Sequence, residues 1–123
     1  MPLTPSPTNA ICEVPCVDER KVRHTKRAMK PGVAVSRLAE TFKVLGDPTR
    51  LRIVFALSRD ELCVCDLAAS LSVSQSVVSH SLQALRQMRL VRYRKEGRIA
   101  YYTLDDDHIA ALIGEGFRHV EEE

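Results

Sequence analysis

The sequence lacks the features that mark membrane proteins, secreted proteins and enzymes. It has no apolar run of about 18 residues, which excludes a transmembrane helix. Residues 1–16 contain neither the basic stretch nor the apolar stretch of a signal peptide, so we predict a cytoplasmic protein. There is also no glycine-rich phosphate loop and no convincing arrangement of a nucleophile and a base. We therefore predict no enzymatic activity, no small organic substrate and no membrane partner.

The net charge is also small, but the charged residues are unevenly distributed. The formal net charge is +2, yet the segment Arg86–Arg98 holds six basic residues and a single acidic one, Glu96. A second basic run extends from Arg20 to Lys30, whereas the end of the chain is acidic. A local basic segment on a nearly neutral protein is expected where the protein contacts phosphate. The alternative is a charged surface that faces only water.

The chain of 123 residues has room for one domain and a modest core. We predict a flexible, proline-containing arm over residues 1–18 and a single folded domain over residues 19–123. Apolar spacing predicts a helix over Val33–Leu45, and the polar, basic segment Glu19–Met29 is a further helix candidate. Another helix is expected to start with Asp47 as its N-cap and Pro48 at its first position. The side chains of that helix expected to face the core are Leu51, Val54, Phe55 and Leu57.

The second half of the chain has the pattern of a winged helix-turn-helix. A short helix over about Val64–Leu71 is followed by a tight turn and by a second helix over Gln75–Met88, which Ser74 caps. The apolar period then changes from that of a helix to that of a strand, which predicts a two-stranded hairpin closed at Gly97. A final helix begins at about Asp106. The predicted fold class is mainly α with a β-hairpin wing.

The second helix and the hairpin form the predicted surface for double-stranded DNA. The first turns of such a helix meet base edges in the major groove, where glutamine can pair with adenine and serine with either kind of base. The basic residues of the hairpin are placed to touch the phosphate backbone or the adjacent minor groove. His80 either reaches DNA or sits half-buried against a backbone carbonyl. The candidates for DNA binding are Ser74, Gln75, Ser76, Ser79, His80, Arg92, Arg94, Lys95 and Arg98.

The cysteines occur in two clusters, Cys12 with Cys16 and Cys63 with Cys65. In a reducing cytosol such clusters bind metal or are redox-active rather than forming structural disulfides. Together the two pairs can supply four thiolates to a soft or borderline ion such as cadmium, lead or zinc. The open alternatives are a redox dithiol switch and cysteines that pack as small hydrophobic residues. His24 and Asp66 are further possible ligands. We expect His24 instead to face solvent and Asp66 instead to cap a helix.

Four segments of the chain carry a family resemblance: Asp47–Ile53, Glu61–Ala68, Val77–Leu85 and Arg94–Arg98. Together they resemble the ArsR/SmtB family of metal-responsive repressors, over about residues 33–122. The pairing of Cys12-x3-Cys16 with Cys63-x-Cys65 is most similar to the cadmium- and lead-sensing CadC branch. The resemblance implies a homodimeric winged-helix repressor of metal-efflux or metal-resistance genes that metal loosens from its operator. It also implies that the arm of one protomer brings its two cysteines to Cys63 and Cys65 of the other.

The last helix carries a second set of possible metal ligands, namely Asp106, His108, His119 and Glu122. His108 and His119 are eleven residues apart, which is about 16 Å along a helix, so one ion cannot bind both within a chain. Across a two-fold axis, an antiparallel partner helix places His119 and Glu122 beside Asp106 and His108 of the other chain. These nitrogen and oxygen ligands suit zinc better than lead. The four positions also match the zinc site that the family carries on its C-terminal helix.

We therefore predict a homodimeric repressor that binds a palindromic operator and releases it when Cd(II), Pb(II) or Zn(II) binds. One alternative is a sensor of arsenite or antimonite, because that branch of the family also carries the Cys-Val-Cys motif. Cys12, Cys16 and the ligands of the last helix argue against it. The other alternative is a redox-sensing repressor, which peroxide releases from DNA with no metal present.

Overall fold

The computed structural model describes residues 10–122 of the chain. In chain order its elements are α1 (Glu19–Ala28), α2 (Gly32–Leu45), α3 (Pro48–Arg59), β1 (Leu62–Cys63), α4 (Val64–Leu71), α5 (Gln75–Gln87), β2 (Val91–Glu96), β3 (Ile99–Leu104) and α6 (Asp107–Glu121). Among the described residues, no helix is long and apolar enough to cross a membrane.

The chain divides into two compact units, with the boundary after Val35. The first unit contains the Cys12–Cys16 segment and α1. The second unit, from Ser36 onwards, contains the helix-turn-helix, the sheet and the last helix. The arm predicted over residues 1–18 lies half outside the described residues, which begin at residue 10. Its flexibility and its boundary at residue 18 stay predictions.

Local caps determine where the helices start. The carboxylates of Asp18, Asp47 and Asp106 accept hydrogen bonds from backbone N–H groups in the first turns of α1, α3 and α6. Ser74 does the same for α5, and Pro48 occupies the first position of α3. Each cap satisfies an N–H group that has no partner inside its own helix, and so fixes the residue at which the helix begins. The predicted starts after Asp47 and Ser74 are therefore confirmed.

Helices α4 and α5 form the helix-turn-helix, whose turn is anchored to α3. Ser72 closes α4 in the left-handed conformation, with φ of 56°. Arg52 on α3 donates from Nη2 to the carbonyl oxygen of Leu71 at 2.8 Å, which satisfies an acceptor at the end of α4. Leu67 and Leu82 are buried in the core that these helices share. Because core burial and the anchored turn fix how α5 is rotated, they also fix which of its side chains face solvent.

The sheet has three strands in the order β1-β3-β2, one more than the predicted hairpin. β2 and β3 form the hairpin itself, with Gly97 at φ of 63° in its turn, as expected. β1 runs antiparallel to β3, and its paired residues are Leu62 with Tyr102 and Cys63 with Tyr101. A strand of two residues is too short to show an alternating apolar pattern, so the sequence did not reveal it. This strand joins the cysteine segment directly to the wing.

The core is built around α3 and the helix-turn-helix. Its largest completely buried side chains are Ile53, Leu67, Leu82, Leu85, Val54 and Val78. Phe55 was expected in this core, but 46% of its surface is exposed. Residues 53 and 55 are about 200° apart around a helix, so the burial of Ile53 turns Phe55 outwards. There its ring meets the ring of Phe117 edge-on, with the centroids 5.5 Å apart.

Candidate DNA-binding surface and metal ligands

Helix α5 turns a polar face to solvent because its apolar face is in the core. Val78, Leu82 and Leu85 are buried, whereas all the residues of the α5 segment predicted to contact bases are exposed. They are Ser74, Gln75, Ser76, Ser79 and His80. His80 is exposed, so the structure does not place it in the half-buried position that was the alternative to DNA contact. Ser74 has a structural role as well, since its hydroxyl oxygen accepts from the N–H of Val77 at 3.1 Å.

A recess of about 400 Å³ lies beside the first turns of α5. It is formed by the start of α3 and by α5, and its lining residues are Asp47, Thr49, Arg50, Ser76, Val77, His80 and Ser81. The guanidinium of Arg50 is held there by a hydrogen bond from Nη1 to the carbonyl oxygen of Val44, at 3.2 Å. The polar groups of this recess extend the surface of α5 onto α3, which the sequence did not predict.

The wing carries four exposed basic side chains, one of which is bound to carboxylates. The other three are Arg92, Lys95 and Arg98. Arg94 donates from Nε and Nη2 to the two carboxylate oxygens of Glu61, at 2.9 and 2.8 Å, and from Nη1 to Glu96, at 2.6 Å. The hydrogen bond with Arg94 lowers the pKa of the Glu61 carboxyl, and the same bond raises the pKa of the Arg94 guanidinium. In this conformation the guanidinium of Arg94, a predicted DNA contact, is already hydrogen-bonded to the carboxylates of Glu61 and Glu96.

Cys63 lies where the sheet meets the helix-turn-helix. It is the last residue of β1 and also the N-cap of α4. Its Sγ accepts from the backbone N–H of Asp66 at 3.5 Å, and the Asp66 carboxylate accepts from the N–H of Cys63 at 3.4 Å. This reciprocal capping confirms the expected role of Asp66. Cys65 is exposed in the first turn of α4, so both cysteines are attached at the start of the first helix of the helix-turn-helix.

Cys12 and Cys16 lie in the first unit of the chain, with their side chains close together. Both cysteines are free and exposed. Hydrogen bonding with Cys12 raises the pKa of Cys16. Two neighbouring thiols can bind one ion together once they lose their protons. His24, a further possible ligand, is exposed on α1, as expected.

The four candidate ligands of the last helix lie in two pairs at its opposite ends. At the first end, Asp106 caps α6 by accepting from the N–H of His108 at 2.9 Å, and the Nδ1 atom of the same histidine is 3.5 Å from Asp106 Oδ1. At the other end, His119 is exposed and Glu122 lies 3.7 Å from Arg118 Nε. The side chain of His108 is 96% exposed, so its imidazole can turn towards a metal ion.

Over residues 10–122, no group of three or more histidine, cysteine, aspartate or glutamate side chains is placed to hold a metal ion. Each pair has the donor chemistry that was expected of it, thiols in the two cysteine pairs and imidazole with carboxylate on α6. A structural zinc site needs about four ligands, however, so no pair is a complete site by itself. Either kind of site therefore needs a second pair of ligands.

An exposed apolar surface is formed by α6 and by the part of α2 from Ser36 onwards. Leu38 and Phe42 are 54% and 51% exposed on α2, and Leu112 is 39% exposed on α6. Phe42 and Leu112 border a groove of about 300 Å³, whose other lining residues are Leu45, Gly46, Leu51, Ile113, Gly116 and Phe117. Apolar side chains that are clustered and exposed indicate a surface that contacts another molecule. The apolar spacing of α2 therefore predicted a helix correctly, but most of its apolar residues do not face the core of this chain.

Comparison with known proteins identifies the family of the DNA-binding unit. A sequence profile described as "Bacterial regulatory protein, arsR family" matches residues 47–93, from the cap of α3 into β2. The "Transcriptional repressor SmtB homolog" of Synechocystis sp. is 46% identical over 112 residues, which are 91% of this chain and 85% of that protein. The "Cadmium resistance transcriptional regulatory protein CadC homolog" of Staphylococcus aureus is 39% identical over 116 residues, which are 94% of this chain and 95% of that protein.

A solved structure gives the same result for the fold. It is the homodimeric winged helix-turn-helix DNA-binding domain of Mb0332 from Mycobacterium bovis, described as a possible ArsR-family transcriptional regulator. The TM-score is 0.69 at 26% identity, and the match covers 78% of this chain and 92% of that one. The predicted fold class is thereby confirmed, and since the relatives are transcriptional regulators, the chain is not an enzyme. The chain belongs to the ArsR/SmtB family of metal-responsive transcriptional repressors, near its CadC branch.

Proposed function

We propose that this repressor holds its operator as a homodimer and releases it when Cd(II), Pb(II) or Zn(II) binds. The observation that carries this proposal is the position of Cys63, which is both a strand residue of the wing sheet and the cap of α4. A metal that binds this sulfur acts on both DNA-binding parts of the fold at once. In this proposal the chain works in the cytoplasm and controls genes of metal efflux or resistance.

The homodimer of this proposal is supported by the apolar surface of α2 and α6. Its exposed side chains include Leu38, Phe42 and Leu112. A second copy of the chain suits this surface, because a two-fold axis brings the same apolar surface of both copies into contact. Two copies of α5 related by such an axis then read the two halves of a palindromic operator.

The soft-metal site of this proposal combines Cys12 and Cys16 of one protomer with Cys63 and Cys65 of the other. Four thiolates around one ion satisfy the usual coordination of Zn(II), and thiolates favour soft ions over magnesium or calcium. The proximity of the Cys12 and Cys16 side chains supports their acting as one half of a site.

The second metal site of this proposal takes Zn(II) at the last helix. Asp106 and His108 of one protomer join His119 and Glu122 of the other. The short distance between the Asp106 and His108 side chains, 3.5 Å, supports the first pair as a unit. Nitrogen and oxygen donors of this kind suit zinc.

Fluorescence anisotropy on an operator duplex tests the release by metal. The duplex is selected from random sequences by the metal-free protein, and its affinity is measured with and without Cd(II). We expect Cd(II) to weaken binding by about 5- to 150-fold, the usual size of an allosteric coupling. Cys65→Ser should remove this response and keep metal-free binding, whereas Ser70→Ala, an exposed position later in α4, should change neither. If Cd(II) leaves the affinity of the wild-type chain unchanged, the proposal is wrong.

The choice of ion is tested by absorption in the thiolate charge-transfer region. Cd(II), Pb(II), Zn(II) and arsenite compete for the protein, and the order of displacement ranks their affinities. We expect the divalent ions to displace arsenite, because Cys12 and Cys16 add two thiolates to those of the Cys-Val-Cys motif. If arsenite displaces Cd(II) instead, the protein is a sensor of the arsenite type.

A redox-sensing repressor is a second candidate, and the proximity of the Cys12 and Cys16 side chains favours it. Peroxide would then oxidise this pair to a disulfide and release DNA in the absence of metal. Anisotropy with metal-free, peroxide-treated protein separates the two candidates. Release by peroxide that dithiothreitol reverses supports the redox candidate, and unchanged affinity rejects it.

A further inference from the structure

Three side chains stand in one row across the sheet and connect Cys63 with the wing. Cys63 on β1 is opposite Tyr101 on β3, and Tyr101 is opposite Arg94 on β2. Directly opposed residues of an antiparallel sheet project from the same face. The Arg94 guanidinium lies over the Tyr101 ring, 4.9 Å from its centre. Since neighbouring strands are about 4.8 Å apart, the backbone positions of Arg94 and Cys63 are separated by about 10 Å.

Glu61 reaches the end of this row from the residues just before β1. It lies two positions before Cys63, and its carboxylate oxygens accept from Nε and Nη2 of Arg94 at 2.9 and 2.8 Å. Glu96 accepts from the remaining nitrogen, Nη1, at 2.6 Å. The edge of the guanidinium formed by Nε and Nη2 is one that arginine uses for bidentate binding of phosphate. Glu61 therefore binds the two nitrogens of Arg94, Nε and Nη2, that a DNA phosphate would need.

We infer that Glu61 is a positioning residue, which withholds Arg94 from DNA and couples the wing to the cysteine site. On the operator, Arg94 exchanges Glu61 for a phosphate, so the strength of the Glu61 pair opposes DNA binding. The link to metal rests on the proposed function. Four thiolates around a divalent ion carry a net negative charge, whereas the thiols that they replace carry none.

The sign of the coupling follows from this charge. A negative centre at Cys63 attracts Arg94 along the row and so favours its place beside Glu61. It thereby opposes the transfer of Arg94 to phosphate. By linkage, DNA that takes Arg94 weakens the binding of metal by the same factor. Glu96 lies next to the turn of the wing and away from β1, so it holds Arg94 without linking it to Cys63.

The hold of Glu61 on Arg94 is tested on metal-free protein by a double-mutant cycle. Glu61→Gln should tighten binding of the selected duplex by about two- to fivefold per protomer, the usual range for an exposed ion pair. It should also steepen the dependence of the affinity on salt, by up to about 0.9 logarithmic units for each additional phosphate that the protein neutralises. In an Arg94→Ala background the same change should have no effect. Arg94→Lys keeps the charge but cannot form the bidentate pair, so Glu61→Gln should have a smaller effect in that background than in the wild-type chain.

The link to metal is tested by the ratio of operator affinities with and without Cd(II). Glu61→Gln should reduce this ratio while absorption still shows Cd(II) bound to thiolates. Glu96→Gln is the matched control, since it also weakens the hold on Arg94 and should tighten metal-free binding but keep the ratio.

The outcomes separate this inference from the proposed function. If Glu61→Gln leaves metal-free affinity unchanged, or acts equally in the Arg94→Ala background, Glu61 does not withhold Arg94 and the inference is wrong. If it leaves the Cd(II) ratio at the wild-type value, the coupling is wrong. If the wild-type chain itself shows no response to Cd(II), the proposed function fails, and the metal-free cycle still decides the role of Glu61. Thermal unfolding of each variant confirms that it is folded.

Discussion

Replacement of Phe42 by alanine should weaken the proposed homodimer by about 10- to 150-fold. Phe42 is 51% exposed on α2 and borders the apolar groove. Full burial of a phenylalanine side chain contributes about 1.5–3 kcal/mol. Because about half of Phe42 is exposed, a partner that covers the ring contributes roughly half of that free energy. Two-fold symmetry doubles the loss, because each dimer contains two such rings. The resulting loss of about 1.5–3 kcal/mol corresponds to the stated change in the dissociation constant.

The control for this prediction is Ile99→Ala. Ile99 is 45% exposed, much like Phe42, but it lies at the start of β3 on the wing. Its replacement removes a similar exposed apolar side chain from a surface that we do not place in the interface, so we expect less than a threefold change. Sedimentation equilibrium over a range of protein concentrations measures both dissociation constants. Equal constants for the two variants would show that α2 does not form the interface.

Three further predictions concern the stability of the fold. Ile53→Ala removes a side chain with 0% exposure from the core and should lower the free energy of unfolding by about 2–5 kcal/mol, measured by urea denaturation at fixed protein concentration; a loss below about 1 kcal/mol would contradict its central place. Ser74→Ala removes the cap of α5 and should cost about 1 kcal/mol, seen as a fall in Tm of about 3–6 °C; an unchanged Tm would contradict the capping role. Gly97→Ala should destabilise the wing by about 1–2 kcal/mol, because φ there is 63°, a conformation that is costly for alanine. No atom lies within 4 Å of the added methyl group at Gly97 or at Gly114 in α6, so Gly114→Ala, which has no positive φ, should not destabilise the protein. Equal Tm values for the two variants would refute the backbone argument.

Local interactions let the sequence predict most helices and both ligand classes. A cap such as Asp47 or Ser74 acts on N–H groups within the next three residues, so the sequence itself shows where the helix starts. The same holds for Asp66, whose bond to Cys63 spans three residues. The soft-ligand chemistry of Cys63 and Cys65 is also a property of the residues themselves, whatever the fold.

Distant contacts and the faces that helices bury were decided only by the tertiary structure. No local pattern predicts that Glu61 meets Arg94, since the two are 33 residues apart and come together only because β1 and β2 both pair with β3. Nor does apolar spacing tell whether a face is turned to the core or to a partner, and so Phe55 and Phe42 proved exposed. The sequence by itself determined the helices, the hairpin, the caps at Asp47 and Ser74 and the chemistry of the ligands, because these depend on neighbours along the chain. The attachment of Cys63 to the wing and the occupation of Arg94 depend on pairing across the sheet, which only the folded chain brings about.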